Sequence, residues 1–317
     1  MLVRVLGVSL LAAFMAPGTL AQAVTGAAVA QELQRQIERE RVLREQQEST
    51  PDVRLLAPAS VEPGRMPEAE TPCFPIREIV LKSPLPDFSS AHSAVDPDDD
   101  PATGRCLGSA GINVVMTRVQ NAIVARGFVT TRVLAEVQDL CNGILTLTVI
   151  PGRIRNISFT PGSDTRANAW NAMPARPGDI LNLRDIEQGL ENFKRVPTAE
   201  ADIQIVPADE PGESDLLIAW KQAFPLRLTL NVNDGGAKTT GKYLGSVTVS
   251  GDHLLMLNDL FYASFNHELG GGESGSRGTH GHTLHYSLPY DYWLFGVTTS
   301  ENRYHQTVAG ATQNYLY

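Results

Sequence analysis

Arg126-Gly-Phe-Val-Thr-Thr-Arg-Val-Leu-Ala-Glu-Val-Gln-Asp-Leu-Cys-Asn-Gly-Ile-Leu-Thr-Leu-Thr-Val-Ile-Pro-Gly152 is a strand, a turn and a second strand written in succession. Residues 129–133 favour extended backbone. Asn142-Gly143 is a turn signal, since both residues tolerate positive φ. Leu145, Leu147 and Val149 then alternate with Thr146, Thr148 and Ile150, the pattern of a half-buried strand. Upstream, Ile112, Val115, Met116, Val119, Ala122 and Ile123 recur at three- and four-residue spacing and stop before Gly127, which predicts an amphipathic helix with a glycine stop. Helix and hairpin together make one small α+β unit.

The N-terminus has a different character. Arg4 precedes an apolar run over residues 5–15, a Pro17-Gly18 break follows, and Ala21-Gln22-Ala23 fits a small-x-small cleavage site. Residues 1–23 therefore read as a secretory signal peptide, and the run is too short to span a bilayer. No later stretch is long and apolar enough for a spanning helix, so any membrane contact by the rest of the chain uses strands. The net charge of −9 gives no reason to expect a nucleic-acid partner. Export leads to an oxidising compartment, where Cys73, Cys106 and Cys141 allow one disulfide and leave one thiol. A Cys73–Cys106 bridge would staple the loop between a strand starting near Ile76 and the helix.

Residues 24–47 predict a helix that is polar nearly all round, with Glu38–Arg41, Glu40–Arg44 and Arg41–Glu45 at pairing distance along it. Two readings stay open: a solvated, fraying extension, or a helix seated in a water-filled lumen. Residues 48–72 hold Pro51, Pro58, Pro63, Pro67 and Pro72 among charges, an extended and unfolded linker that would let the helix travel. Asp96, Asp98, Asp99 and Asp100 cluster in the loop before the helix. They lack the ligand spacing and glycine of a calcium loop and read as a solvated acidic loop.

Residues 153–224 repeat the plan of residues 73–152. Strands are predicted at 154–159, 201–206 and 214–220, with a helix at 183–193 and a turn at Pro211-Gly212. After Pro225 the pattern becomes strict alternation: Leu226, Leu228, Leu230 and Val232 face one way, and Arg227, Thr229, Asn231 and Asn233 the other. The same alternation marks 243–249, 260–267, 283–288 and 292–300, as lipid and lumen faces require. Tyr286, Tyr290, Tyr292 and Trp293 gather about one tight turn, where an aromatic girdle would sit.

Cys73-Phe-Pro-Ile-Arg-Glu-Ile79, residues 126–133, residues 143–154, Leu181-Asn-Leu-Arg-Asp-Ile-Glu-Gln-Gly-Leu-Glu191 and Pro211-Gly-Glu-Ser-Asp-Leu216 resemble the paired POTRA domains of haemolysin secretion/activation proteins (ShlB/FhaC/HecB type). These are the outer-membrane transporters of two-partner secretion. The resemblance implies an α+β fold: two POTRA domains, each strand-helix-strand-strand, followed by the first antiparallel strands of a transmembrane β-barrel. It assigns residues 73–152 to POTRA 1, 153–224 to POTRA 2 and 225–317 to an incomplete barrel, with about five strands where closure needs at least eight; the chain is expected to be a fragment. It implies a plug-type helix, periplasmic POTRA domains, outer-membrane lipid around the barrel and an unfolded secreted exoprotein of haemolysin or adhesin type as partner. Cys73 and Cys106 fall where many members have a pair.

Short α+β units offer exposed sheet edges, so Thr130, Thr131, Arg132 and Val133 are the expected cargo-binding edge strand. No enzyme, cofactor or metal is expected. His280, His282 and His285 approach a metal-ligand set in type, but alternation puts 280 and 282 on one face and 285 on the other. An outer-membrane assembly factor and a soluble periplasmic binding module are the competing readings.

Overall fold

The computed structural model describes residues 4–9, 26–56, 60–84, 91, 93–238, 240–272, 277–308 and 311–316; the expected signal-peptide cleavage site at 21–23 lies outside them. Arg4–Ser9 (β1) and Gly26–Gln47 (α1) precede three sheets.

The first unit comprises Phe74–Pro75 (β2), Glu78–Lys82 (β3), Cys106–Leu107 (β4), Ser109–Ala125 (α2), Arg132–Leu134 (β5) and Ile144–Ile150 (β6). β6 is central, parallel to β3 and antiparallel to β5. Leu145, Leu147 and Val149 point from it onto Val115, Val119 and Ile123 of α2, all buried. Each such side chain contributes about 1.5–3 kcal/mol when removed from water. Gly127 ends the helix at φ +95°. The first strand of the stretch is shorter than its composition predicts: residues 129–131 turn, and pairing starts at Arg132. Thr131 is buried, where its hydroxyl accepts from the Gly152 amide at 3.3 Å.

The second unit holds Arg153–Phe159 (β7), Leu183–Lys194 (α3), Ala199–Pro207 (β8) and Glu213–Gln222 (β9), in sheet order β7-β9-β8. Asn182 caps α3 by accepting from the Arg184 amide at 2.9 Å, and Leu183, Ile186, Leu190 and Phe193 close over Leu216, Ile218 and Trp220. The units are joined tightly. The Leu183 amide donates to the Gly127 carbonyl at 2.8 Å, Val129 lies in the core of the second unit, and a side chain at Gly127 would overlap Asn182.

Leu226–Asn233 (β10), Tyr243–Asp252 (β11), Leu260–Gly270 (β12), Gly278–Tyr290 (β13), Trp293–Val308 (β14) and Ala311–Leu316 (β15) form a meander, each strand antiparallel to the next. β15 adds a strand to the five expected. β1 lies parallel to residues 293–298 along the part of β14 that β15 leaves open. One face of this sheet carries Leu228, Leu230, Val232, Val247, Phe265 and Val297, all exposed; the other carries Thr248, Ser250, Ser264, Thr283, His285 and Ser287, all buried. A sheet apolar outside and polar inside inverts the order of a soluble domain and fits a barrel wall in lipid.

Two expectations need correction. Residues 48–56 and 60–72 lack regular structure but are docked, not unfolded. Val53 and Leu55 pack on the core of the second unit, and the Leu55 amide donates to Glu187 Oε1 at 2.9 Å. Met66 is buried in the first unit, and Glu70 accepts from the amides of Gly108, Ala110 and Gly111 at 2.8–3.0 Å. Gly108 has no side chain to cap α2, so a carboxylate from the linker supplies the cap. The acidic loop is likewise structural. Asp96 accepts from the Ala102 and Thr103 amides at 2.7 and 2.9 Å, and Asp100 pairs with Arg118 at 2.5 Å and Arg105 at 2.9 Å.

Candidate functional site

α1 lies on the polar face of the large sheet. Gln36, Glu40, Leu43 and Gln47, spaced four, three and four residues apart, form one stripe along it; the two glutamines are buried and the other two half-buried. Leu33, Ile37 and Val42 are exposed. The stripe that touches protein is thus the polar one apart from Leu43. Ser300 Oγ donates to Glu40 Oε1 at 2.6 Å, and the Ser250 hydroxyl donates to the Gln47 amide oxygen. Arg227 donates to that same oxygen at 3.2 Å and to the Gln47 carbonyl at 2.9 Å, placing a cation at the negative end of the helix; Asp252 holds the guanidinium at 3.0 Å. Glu38–Arg41 and Arg41–Glu45 pair on the exposed side at 2.6 and 3.2 Å, while Glu40 turns to the sheet.

Between helix and wall runs a cleft of about 320 Å³ lined by Asn231, Ser246, Asn266, Thr283 and Asn302. The helix is therefore seated largely by hydrogen bonds across a polar gap, each contributing about 0.5–1.5 kcal/mol net, with Leu43 adding an apolar contact to the core that includes Leu260 and Tyr262. Such a seat is specific but releasable.

Just past the helix, Glu48 lies 3.5 Å from Arg195, the residue that ends α3, and 3.4 Å from His285 of β13. Burial acts to raise the Glu48 carboxyl, and the bond to His285 with the charge of Arg195 outweighs it, holding the carboxyl below its ordinary value. Arg195 also donates to the Ser287 hydroxyl and, at 3.3 Å, to the Asn258 carbonyl, while its own carbonyl accepts from the Ser49 amide at 3.0 Å. One buried guanidinium ties together the helix end, the second unit and the barrel wall.

The second unit is also fixed to the turns at the near end of the sheet. Arg176 pairs with Asp291 at 3.0 Å. Asn192 donates to the Asp291 carbonyl at 2.7 Å, and Asn171 donates to the Pro289 carbonyl at 2.8 Å. The Tyr292 hydroxyl donates to Asp185 of α3; burial raises the Asp185 carboxyl despite that bond. Tyr292 thus leaves the expected girdle, whereas Tyr286, Tyr290 and Trp293 share the outward face with Phe295. Asp291 takes φ +50° at the tip of this two-residue turn.

The expected cargo edge is only partly available. Arg132–Leu134 is an edge strand, but Thr130 and Thr131 precede it in the turn. The Gln120 amide of α2 donates to the Thr131 carbonyl at 2.8 Å and accepts from the Val133 amide at 3.0 Å, occupying the groups that an added strand would use. Arg132 donates to the Val129 and Thr131 carbonyls at 3.1 Å. The sequence signal for this block is a glutamine on the sheet-facing side of the helix. Gln138 brackets the amide and carbonyl of Thr146 in the same way, at 2.7 and 2.8 Å.

Cys73 and Cys106 form a disulfide with Cα atoms 5.3 Å apart, and Cys141 is an exposed free thiol, raised by its contact with Asp139. His280 faces His267 and His282 faces Phe265 on the apolar face, whereas His285 is buried on the polar face beside Glu48 and Ser287. Among the described residues no group of three or more side chains has the geometry to hold a metal ion.

Residues 74–152 match the ShlB-type POTRA domain model, residues 153–207 a second POTRA domain model, and residues 212–317 the model of haemolysin secretion/activation protein ShlB/FhaC/HecB. The chain is 38% identical to outer membrane transporter CdiB-2 of Burkholderia pseudomallei over 260 residues, which is 78% of this chain and 44% of the relative. It is 31% identical to outer membrane transporter CdiB of Dickeya dadantii over 247 residues, 74% of this chain and 41% of the relative. The chain thus spans under half the length of these curated relatives. CdiB from Escherichia coli superposes with a TM-score of 0.69 at 27% identity, covering 93% of this chain and 54% of that one. Two POTRA units in tandem, a polar helix on the polar face of an outward-apolar sheet, and these matches in the same order along the sequence make the chain a member of the haemolysin secretion/activation family.

Proposed function

We propose that this chain forms the periplasmic and pore-entry part of an outer-membrane transporter of two-partner secretion, with an unfolded exoprotein as its cargo. The POTRA domains lie in the periplasm and receive the cargo. The barrel, completed by strands beyond the six antiparallel ones described, carries it across, and α1 blocks the lumen at rest. The observation that carries this reading is the polar stripe of Gln36, Glu40 and Gln47 on the polar sheet face, since a helix so arranged has no use in a soluble core and suits a wet channel. The chemistry asked of the protein is binding and release, with no bond made or broken.

Cargo joins by strand addition. With β5 blocked by Gln120, the acceptor we favour is β8, whose nine residues pair with β9 along their whole length. Among the described residues, no hydrogen bond reaches its outer edge between residues 200 and 206. Hydrogen exchange tests this: an unfolded exoprotein segment should protect the outward amides of β8. Protection confined to β3 or β5, or to no strand, would contradict the choice of edge.

A further inference from the structure

We propose that POTRA 2 carries its own membrane anchor: Trp170, together with Leu254 to Met256 of the neighbouring β11–β12 turn, sits in the headgroup layer of the periplasmic leaflet of the bilayer that the barrel crosses. The proposal rests on the reading of residues 226–316 as barrel wall.

Trp170 stands 63% exposed in a loop that is otherwise held firmly. Its amide donates to Asn168 Oδ1 at 2.9 Å and its carbonyl accepts from Arg176 at 3.1 Å. Asn168 on one side donates to the Met256 carbonyl at 2.7 Å, and Asn171 on the other is buried against the Pro289 carbonyl. An ordered loop that leaves its indole in water incurs the hydration cost of a large apolar ring, and an amphipathic indole is best placed where one side is apolar and the other wet.

The direction of the ring identifies the occupant. It meets Tyr290 edge-on, centroids 5.6 Å apart, and Tyr290 ends the outward row of β13 that continues through Leu288, Tyr286 and Leu284. Trp293 and Phe295 stack beside that row at 6.5 Å. Trp170 is therefore on the outer circumference, continuous with the lipid-facing surface, and away from the lumen that α1 fills. The turn beside it behaves alike. Leu254 folds back over Gly251, an outward position of β11, and Leu255 and Met256 are 64% and 49% exposed. Met256 holds φ +59° while Asp259 accepts from the Leu255 and Leu257 amides, so the turn presents these side chains by construction. Two elements from different domains, locked to each other, thus display apolar groups at one level. A phospholipid interface fits this arrangement, and a client strand would need a free backbone edge that this loop does not offer.

The test is depth. In a barrel-complete version carrying Cys141→Ser, nitroxide labels would be placed one at a time on cysteines at positions 170, 255, 228 and 137, and the protein reconstituted in vesicles of phosphatidylethanolamine and phosphatidylglycerol. Collision with oxygen against collision with a nickel chelate then reports depth. Position 228 marks the lipid face, and position 137, on a fully exposed residue of POTRA 1, marks water. The labels at 170 and 255 should give oxygen-to-nickel ratios several-fold above that at 137 and below that at 228. A ratio at 170 equal to that at 137, with 228 in lipid, overturns the anchor and leaves the barrel intact. Equal ratios at 228 and 137 overturn the barrel reading and the anchor with it. Exclusion of both reagents from 170 places the ring against protein and also overturns it. As a second measurement, brominated phospholipid should quench tryptophan emission less in Trp170→Phe than in the parent; equal quenching contradicts the proposal.

Discussion

The Glu48 carboxylate and the Arg195 guanidinium lie 3.5 Å apart, their side chains only 13% and 7% exposed, and this pair connects the end of α1 to the end of the POTRA 2 helix. If cargo bound as proposed shifts POTRA 2, this pair is one of the contacts through which α1 would respond, beside the Ser49 amide on the Arg195 carbonyl. Removing Arg195 takes the guanidinium from the buried Glu48 carboxylate and leaves it the His285 contact, and removing Glu48 takes the carboxylate from the buried guanidinium.

Arg195→Ala should weaken the junction by about 3–5 kcal/mol, the usual loss when a buried pair is broken, and should raise the fraction of open channels. Glu48→Ala should act in the same direction, and the double variant should cost less than the sum of the two. A double-mutant cycle on denaturant midpoints measures the coupling; strict additivity would show that the two residues act independently.

Gln120→Ala should free the edge of β5. Loss of two hydrogen bonds at a half-buried bracket should lower POTRA 1 stability by roughly 1–3 kcal/mol, and the exposed edge should promote self-association. Analytical ultracentrifugation checks the second effect. A monomeric variant of unchanged stability would mean that the bracket has no role.

Reduction of Cys73–Cys106 should destabilise POTRA 1 by about 3 kcal/mol, because the bridge closes a loop over a sequence separation of 33 residues in the unfolded chain. Cys141 should alkylate without prior reduction. Peptide mapping that found Cys141 in the bridge would contradict both statements.

POTRA 1 should also lose stability in acid. The backbone bond from Met66 and the charge of Arg118 hold Asp100 below the ordinary carboxylate range, and three helix amides outweigh desolvation to do the same for Glu70. A folded value below the unfolded one adds stability that is present above about pH 4 and disappears as pH falls through the folded value. Asp100→Asn and Glu70→Gln should each flatten this acid limb in thermal melts; an unchanged limb in both would assign it to other groups.

Much of this was legible in the residues. Leucine–threonine alternation at 145–150 defined the central strand of POTRA 1, and the leucines after Pro225 marked the outward face of β10 correctly. What escaped was long-range. Residues 48–72 look like a free linker because proline and charge report local stiffness, and nothing local shows that Glu70 caps α2 or that Met66 fills a core. The blocked edge at Thr131 and Val133 escaped because a glutamine has no strand preference until the fold brings it to an edge. In the site itself, the polar circumference of α1 was visible, but its face was not. Only the inward Ser250, Ser300 and Arg227 select Glu40 and Gln47 as the seat.

Conductance tests the central claim most directly. In a barrel-complete version in a planar bilayer, deleting residues 30–47 should convert a mostly closed channel into a steadily conducting one, because in the proposed reading α1 lies across the lumen. Equal conductance with and without those residues would contradict the account and reduce α1 to a solvated extension.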